Sequence, residues 1–311
     1  MLKPIIRAVK YNILYHYAVL KSQNPISLPK CDKKSVTFIV GCGRSGTTIL
    51  GELFSLHSQI YYLFEPYHLW AAIDDRTDVL NLFSKTDSLL LMNEMHYRDE
   101  LQQRFSRLID NRGTYNQSVV EKTPLNAMRI GYLNVMAPDA KFINIVRDGV
   151  DVAHSIAKLA NQSSYKISGK ANLNQWWGVD NAKWTALERD GTSNNYFAEE
   201  IQFLQSHESK AAYEWLVTLS EVDKWRSILG HRLMEVTYED LVTEPQATLQ
   251  ALCNFLHIEP TEVWLTTGVK QIKPAHQNKN VTLELPMKIG QAFNSYQQKY
   301  GFVNRAHCTE L

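Results

Sequence analysis

Residues 41–54, GCGRSGTTILGELF, join an apolar run to a helix-spaced run through glycines, an arginine and two threonines. Gly41 and Gly46 keep the frame of a nucleotide-triphosphatase phosphate loop. Thr47 stands where the lysine of that loop would be, and the positive charge sits inside the loop on Arg44. A glycine turn between strand and helix aims backbone N–H groups and the positive end of a helix dipole at one point, which makes an anion site. Gly43, Arg44, Ser45, Gly46, Thr47 and Thr48 are the candidate contacts. The guanidinium offers a planar fork for phosphate or sulfate oxygens, and the threonines offer hydroxyls at the helix start. Alternatively, Arg44 is a surface ion-pair residue and the threonines only cap the helix. The missing lysine, with no obvious magnesium-holding acid at the end of a later strand, argues against triphosphate hydrolysis or kinase chemistry and suggests no metal site.

Four further stretches end apolar runs in polar groups. KFINIVRDGVDVAHS places Arg147 at the end of a strand, Asp148 at a helix-capping position and Ser155 eight residues after the arginine. The carboxyl ends of strands are where open α/β sheets bind ligands, although an Arg147–Asp148 ion pair beside an ordinary helix serine fits the same pattern. VTYEDLVTEP puts Tyr238 at a strand end, as a ligand contact or a half-buried tyrosine. Glu65 ends IYYLF just before Pro66, where a carboxylate could take a proton from a hydroxyl or could pair with an arginine and hold the loop. His57 and His68 flank it as rival bases, His57 lying late on a helix and better suited to a structural role. VVEKTPLN ends with Lys122 before Thr123 and Pro124.

The elements that must position these groups follow from periodicity. Strand-like runs at 36–40, 60–64, 118–122, 141–147 and 233–239 alternate with helical stretches, which implies a parallel sheet covered on both faces. The stretch 161–208 is polar, rich in Asn and Ser, and carries Trp176, Trp177, Trp184 and Tyr196. Its composition suits a lid or an acceptor-binding insertion better than a core element, with aromatic faces that could stack on sugars or pack the segment on the body. Residues 1–35 read as an amphipathic helical segment packed on the domain, with possible peripheral membrane contact and no run able to span a bilayer. One domain over 1–311 is expected. The 33 basic and 32 acidic residues leave a formal net charge of +1, so no global field calls for nucleic acid or another polyanion, and any anion site is local. Cys31, Cys42, Cys253 and Cys308 show neither zinc-ligand spacing nor a disulfide framework, which fits a reducing compartment.

GRSGTT resembles the 5′-phosphosulfate loop of sulfotransferases that use 3′-phosphoadenosine 5′-phosphosulfate (PAPS) and release 3′,5′-adenosine bisphosphate. The span from the loop through Phe-Glu-Pro is similar to carbohydrate O-sulfotransferases and, more distantly, to tyrosylprotein sulfotransferases. The resemblance implies a three-layer P-loop-like α/β fold, a 3′-phosphate site at Arg147 and Ser155, a nucleotide contact at Tyr238 and a base at Glu65. It implies that Lys122, matching a Lys-(Asp or Thr)-Pro segment, stabilises the departing phosphate in place of the missing loop lysine. GVKQIKPAHQNKN resembles a loop that closes over the nucleotide. There Lys273 and Lys279 are candidate phosphate contacts, and Pro274 stands where tyrosylprotein sulfotransferases have a serine. The implied reaction is in-line transfer to an acceptor hydroxyl of a glycan or glycolipid, without a metal. A phosphate-loop nucleotide kinase and a non-catalytic nucleotide-binding relative are the alternatives. The related families carry a membrane anchor that does not read here, so a soluble cytoplasmic form is expected.

Overall fold

The computed structural model describes residues 2–23, 36–83, 87–114, 116–162, 173–273 and 281–310. Its centre is a five-stranded parallel sheet of β1 (Thr37–Val40), β2 (Ile60–Phe64), β3 (Ser118–Lys122), β4 (Lys141–Val146) and β5 (Leu233–Thr237). The strand order is β2-β3-β1-β4-β5. Every neighbouring pair is parallel, with Ile39 opposite both Lys122 and Ile143, Phe64 opposite Lys122, and Val146 opposite Thr237. All five carboxyl ends therefore share one edge, and β1 opens on it between β3 and β4.

Successive side chains of a strand point to opposite faces, and the central strands bury both. Phe38 packs with Phe142, Trp70 and Phe105 in one apolar cluster, whereas Ile39 packs with Leu53, Phe54, Ile143 and Leu249 in another. Helices cover both faces, giving three layers: α2 (Thr47–Ser55), α3 (Tyr67–Ile73), α4 (Gly149–Ala160), α5 (Ala182–Ser193), α6 (His207–Leu229), α7 (Tyr238–Thr243) and α8 (Pro245–Leu256). This is the expected α/β class. Strand ends shift by one or two residues, and one shift bears on the site: the last sheet strand stops at Thr237, whose side chain accepts from the Asp240 backbone N–H at 3.0 Å, so Tyr238 opens a helix instead of closing a strand.

The amino-terminal helix α1 (Leu2–Ser22) lies against α3, burying Ala18 and Ser22 and stacking Tyr15 on Phe83 with ring centroids 5.1 Å apart. Among the described residues no helix is long and apolar enough to cross a membrane. Within 161–208, Trp177 and Trp184 are buried in an apolar cluster with Tyr213 and Trp215 of α6, so their faces are not available to a sugar. The large area of an indole favours burial even in a segment whose average composition is polar.

Candidate active site

At its glycines the turn after β1 packs too tightly for a side chain. Gly46 has φ +99°, and a Cβ there would stand 2.5 Å from Cδ2 of Tyr238; a Cβ on Gly43 would stand 2.4 Å from the Trp176 ring. Arg44 itself has φ +73°. In this turned-out position its Nε donates to Ser155 Oγ at 3.0 Å, and its carbonyl accepts from Arg147 Nη1 at 3.4 Å. The two sequence motifs thus meet directly. Arg147 also lies over the Tyr238 ring, 4.7 Å from its centroid, and 3.6 Å from Asp151. Burial and the facing Arg147 lower the Arg44 pKa from its ordinary value. Ser45 Oγ is buried and makes no hydrogen bond among the described residues, so the loop holds a hydroxyl that can donate to an anion beside its cationic rim.

Across the sheet edge, Lys122 Nζ lies 2.5 Å from Glu65 Oε1 and 3.2 Å from Thr48 Oγ1, with the Phe64 ring 4.1 Å beneath it. The lysine side chain is fully buried and the glutamate partly open. Burial lowers the Lys122 pKa from its usual value, while the neighbouring Glu65 works against that shift. Glu65 has φ +38°, a left-handed backbone that a glutamate adopts only under restraint. The restraint is visible: its N–H donates to the Lys122 carbonyl at 2.8 Å and its carbonyl accepts from the Tyr67 N–H at 2.7 Å.

Gly43, Arg44, Thr47, Thr48, Phe64, Glu65 and Trp176 share one cavity of about 370 Å³. A second cavity, about 530 Å³, borders the other side of α2 and is lined by Ile49, Tyr238 and Lys273 among others. Lys279 and Pro274 lie outside the described residues. His57 is buried between the Glu259 carbonyl, 2.9 Å from Nε2, and the Gln59 N–H, 3.2 Å from Nδ1, and packs on Trp264; it is structural. His68 packs edge-on against Tyr11 and is not among the side chains lining the first cavity. Burial, with Arg112 nearby, pushes its pKa down to about 4.

Three features escaped sequence reading. Trp176 covers the phosphate loop; its Nε1 donates to Glu214 Oε2 at 2.8 Å, while Lys183 pairs with Glu214 Oε1 at 2.6 Å and lies 4.0 Å from the Trp176 ring centroid. Tyr11 of α1 enters the first cavity. Glu121, fully buried behind Lys122, accepts from Trp70 Nε1, Thr123 Oγ1 and Asn126 Nδ2. The sequence signals were the aromatic enrichment around Trp176 and a lone charge, Glu121, in an apolar run; neither names the distant groups, Gly43 and Trp70, that these side chains meet.

A family model described as the sulfotransferase family matches residues 37–205 and 181–262, spans that contain the phosphate loop, Glu65, Lys122, Arg147, Ser155 and Tyr238. The chain belongs to the sulfotransferase family. Among solved structures, this sulfotransferase-family chain is similar to the sulfotransferase domain from the Synechococcus PCC 7002 olefin synthase, at 16% identity over 90% of this chain and 99% of that one, with a TM-score of 0.51. The sulfotransferase domain from the curacin biosynthetic pathway is 17% identical over 88% of this chain and 99% of that one, again with a TM-score of 0.51. At these identities the likeness establishes the shared fold. An uncharacterized protein of Aquifex aeolicus (strain VF5) is 20% identical over 236 residues, 72% of this chain and 26% of that protein. This chain therefore spans about a quarter of the length of the curated relative it matches.

Proposed function

We propose that this chain transfers the sulfonate of PAPS to an acceptor hydroxyl. The observation that carries the reading is the convergence of Glu65, Lys122 and Thr48 on the edge that also presents Arg44 and the loop, beside a single cavity. The loop N–H groups, Ser45, Thr47 and Thr48 hold the phosphosulfate, and Arg147 and Ser155, tied to Arg44, take the 3′-phosphate. Tyr238 and Lys273 line the second cavity, on the other side of α2, and offer an aromatic face and a cation to the nucleotide. Glu65 accepts the acceptor hydroxyl proton as the new S–O bond forms. The bond from sulfur to the 5′-phosphate oxygen breaks in line, and Lys122 offsets the charge left on 3′,5′-adenosine bisphosphate. The existing Lys122–Glu65 contact aims the carboxylate before the acceptor arrives.

The acceptor is a carbohydrate hydroxyl, on a glycan or glycolipid, in this reading; Tyr11, Phe64, Tyr67 and Trp176 around the cavity supply the aromatic surfaces that sugar rings favour. Residues 1–311 act as one domain, and 161–208 supplies the acceptor-side cover through Trp176 and Lys183. The free thiols of Cys42, Cys253 and Cys308 suit the cytoplasm, where PAPS is made. The test pairs thermal stability with turnover. Saturating 3′,5′-adenosine bisphosphate at about a hundredfold over its Kd should add about 2.7 kcal/mol of stability. PAPS should then label one class in a panel of glycans, glycolipids and phenols, with sugars labelled first. Stabilisation by ATP–magnesium alone would instead favour a nucleotide kinase, and binding without transfer to any acceptor would favour a non-catalytic relative.

A further inference from the structure

The outward face of α1 has no partner among the described residues. Val9, Ile13, Tyr17 and Leu20 recur at helical spacing on one side of it and are 53%, 62%, 63% and 70% exposed, while Ala18 and Ser22 on the opposite side are buried. Lys10 and Lys21 are exposed along one flank of this stripe, and His16 is exposed beside it. Charge is segregated as well. Lys3, Arg7, Lys10 and Lys21 with no acidic residue give the helix +4, so the remainder of a chain whose formal net charge is +1 carries −3. A stripe of apolar side chains bordered by lysines on a helix without acids is built to lie in an interface, apolar side down and ammonium groups at the level of the headgroup phosphates. Pairing with a second copy of α1 would bring two +4 helices together, which disfavours that occupant.

We infer that α1 docks the protein on an anionic lipid surface, lying in its plane with Val9, Ile13, Tyr17 and Leu20 inserted. Tyr11, on the inner face of the same helix, lines the cavity beside Glu65. Docking therefore brings that cavity within one helix diameter, about 10 Å, of the headgroups. The inference stands on the helix and does not require the sulfonate-transfer reading.

The experiment is flotation of the full chain with vesicles of phosphatidylcholine alone and of phosphatidylcholine mixed with phosphatidylglycerol. The expected result is binding to the mixed vesicles about tenfold or more above binding to phosphatidylcholine, weakened by high salt. The double substitution Ile13→Asp with Leu20→Asp should abolish binding while thermal stability and 3′,5′-adenosine bisphosphate binding stay unchanged, since both side chains are largely exposed. A Tyr17→Trp reporter should shift its emission to the blue on the mixed vesicles only. Absence of both flotation and the emission shift overturns the inference, as does equal binding to the two vesicle types. A dimer in sedimentation that the aspartates dissociate, with no vesicle binding, would assign the face to a second copy instead.

Discussion

Glu65 is held in a left-handed backbone by hydrogen bonds to strand β3 and from α3, with its carboxylate fixed 2.5 Å from the ammonium of Lys122. A backbone of this kind costs about 1–3 kcal/mol and persists where the surroundings over-determine it. In the proposed reaction its partner, Lys122, meets the charge of the leaving group. Lys122→Met keeps the apolar stem over Phe64 and removes the charge, so kcat for sulfonate transfer should fall about 10²–10³-fold in steady-state assays, with a smaller change in donor KM. An unchanged kcat would remove Lys122 from the reaction. Behind it, burial raises the Glu121 carboxyl to about 7, against the opposing pull of its donors from Thr123, Trp70 and Asn126. A carboxyl raised by folding binds its proton more tightly in the folded state. Its stabilising contribution is complete below the ordinary value of 4.5 and disappears as pH rises through about 7. Glu121→Gln should therefore flatten the loss of stability with pH across that interval in urea melts, and an unaltered slope would show that the group is ionised at no cost. The glutamate of Phe-Glu-Pro was legible in the sequence; Glu121 was not, because a lone acid in a strand does not reveal which donors will surround it.

Elements make the site by ending together. The five strands were legible as apolar runs, and a parallel sheet places all their carboxyl ends on one edge, so Arg44, Glu65, Lys122, Arg147 and Tyr238 had to be neighbours once the sheet formed. The order β2-β3-β1-β4-β5, which sets Lys122 between Glu65 and the loop, follows from pairing that no local pattern encodes. The sequence also hid how the loop is packed. Its glycines announced a turn, while the reason for Gly46 is Tyr238, almost two hundred positions later. Gly46→Ala places a methyl on that ring at a left-handed φ, so it should lower stability by about 1–3 kcal/mol and weaken 3′,5′-adenosine bisphosphate binding together, measured by denaturant melts and calorimetry. Tight nucleotide binding in a stable Gly46→Ala protein would contradict the packing described. Trp176 taught the converse lesson: aromatic enrichment in 161–208 was visible, but it divides into Trp177 and Trp184 in the core and Trp176 on the loop only when the fold is known.

For the whole molecule, near-neutral charge conceals a cationic pocket edge and a cationic helix set against an acidic remainder, and composition alone exposed neither. The fold supplies a donor edge, an aromatic-walled cavity and a helix that touches that cavity with one face and solvent with the other. The central claim is that this assembly moves a sulfonate with Glu65 as the proton acceptor. Glu65→Gln preserves size and hydrogen bonding while removing the basic carboxylate, so the most direct measurement compares PAPS-dependent transfer and 3′,5′-adenosine bisphosphate affinity in the same variant. The account predicts transfer reduced about 10²–10⁴-fold with affinity within a few-fold of the parent. Transfer retained at the parent rate, or transfer and affinity lost in equal measure, would contradict it.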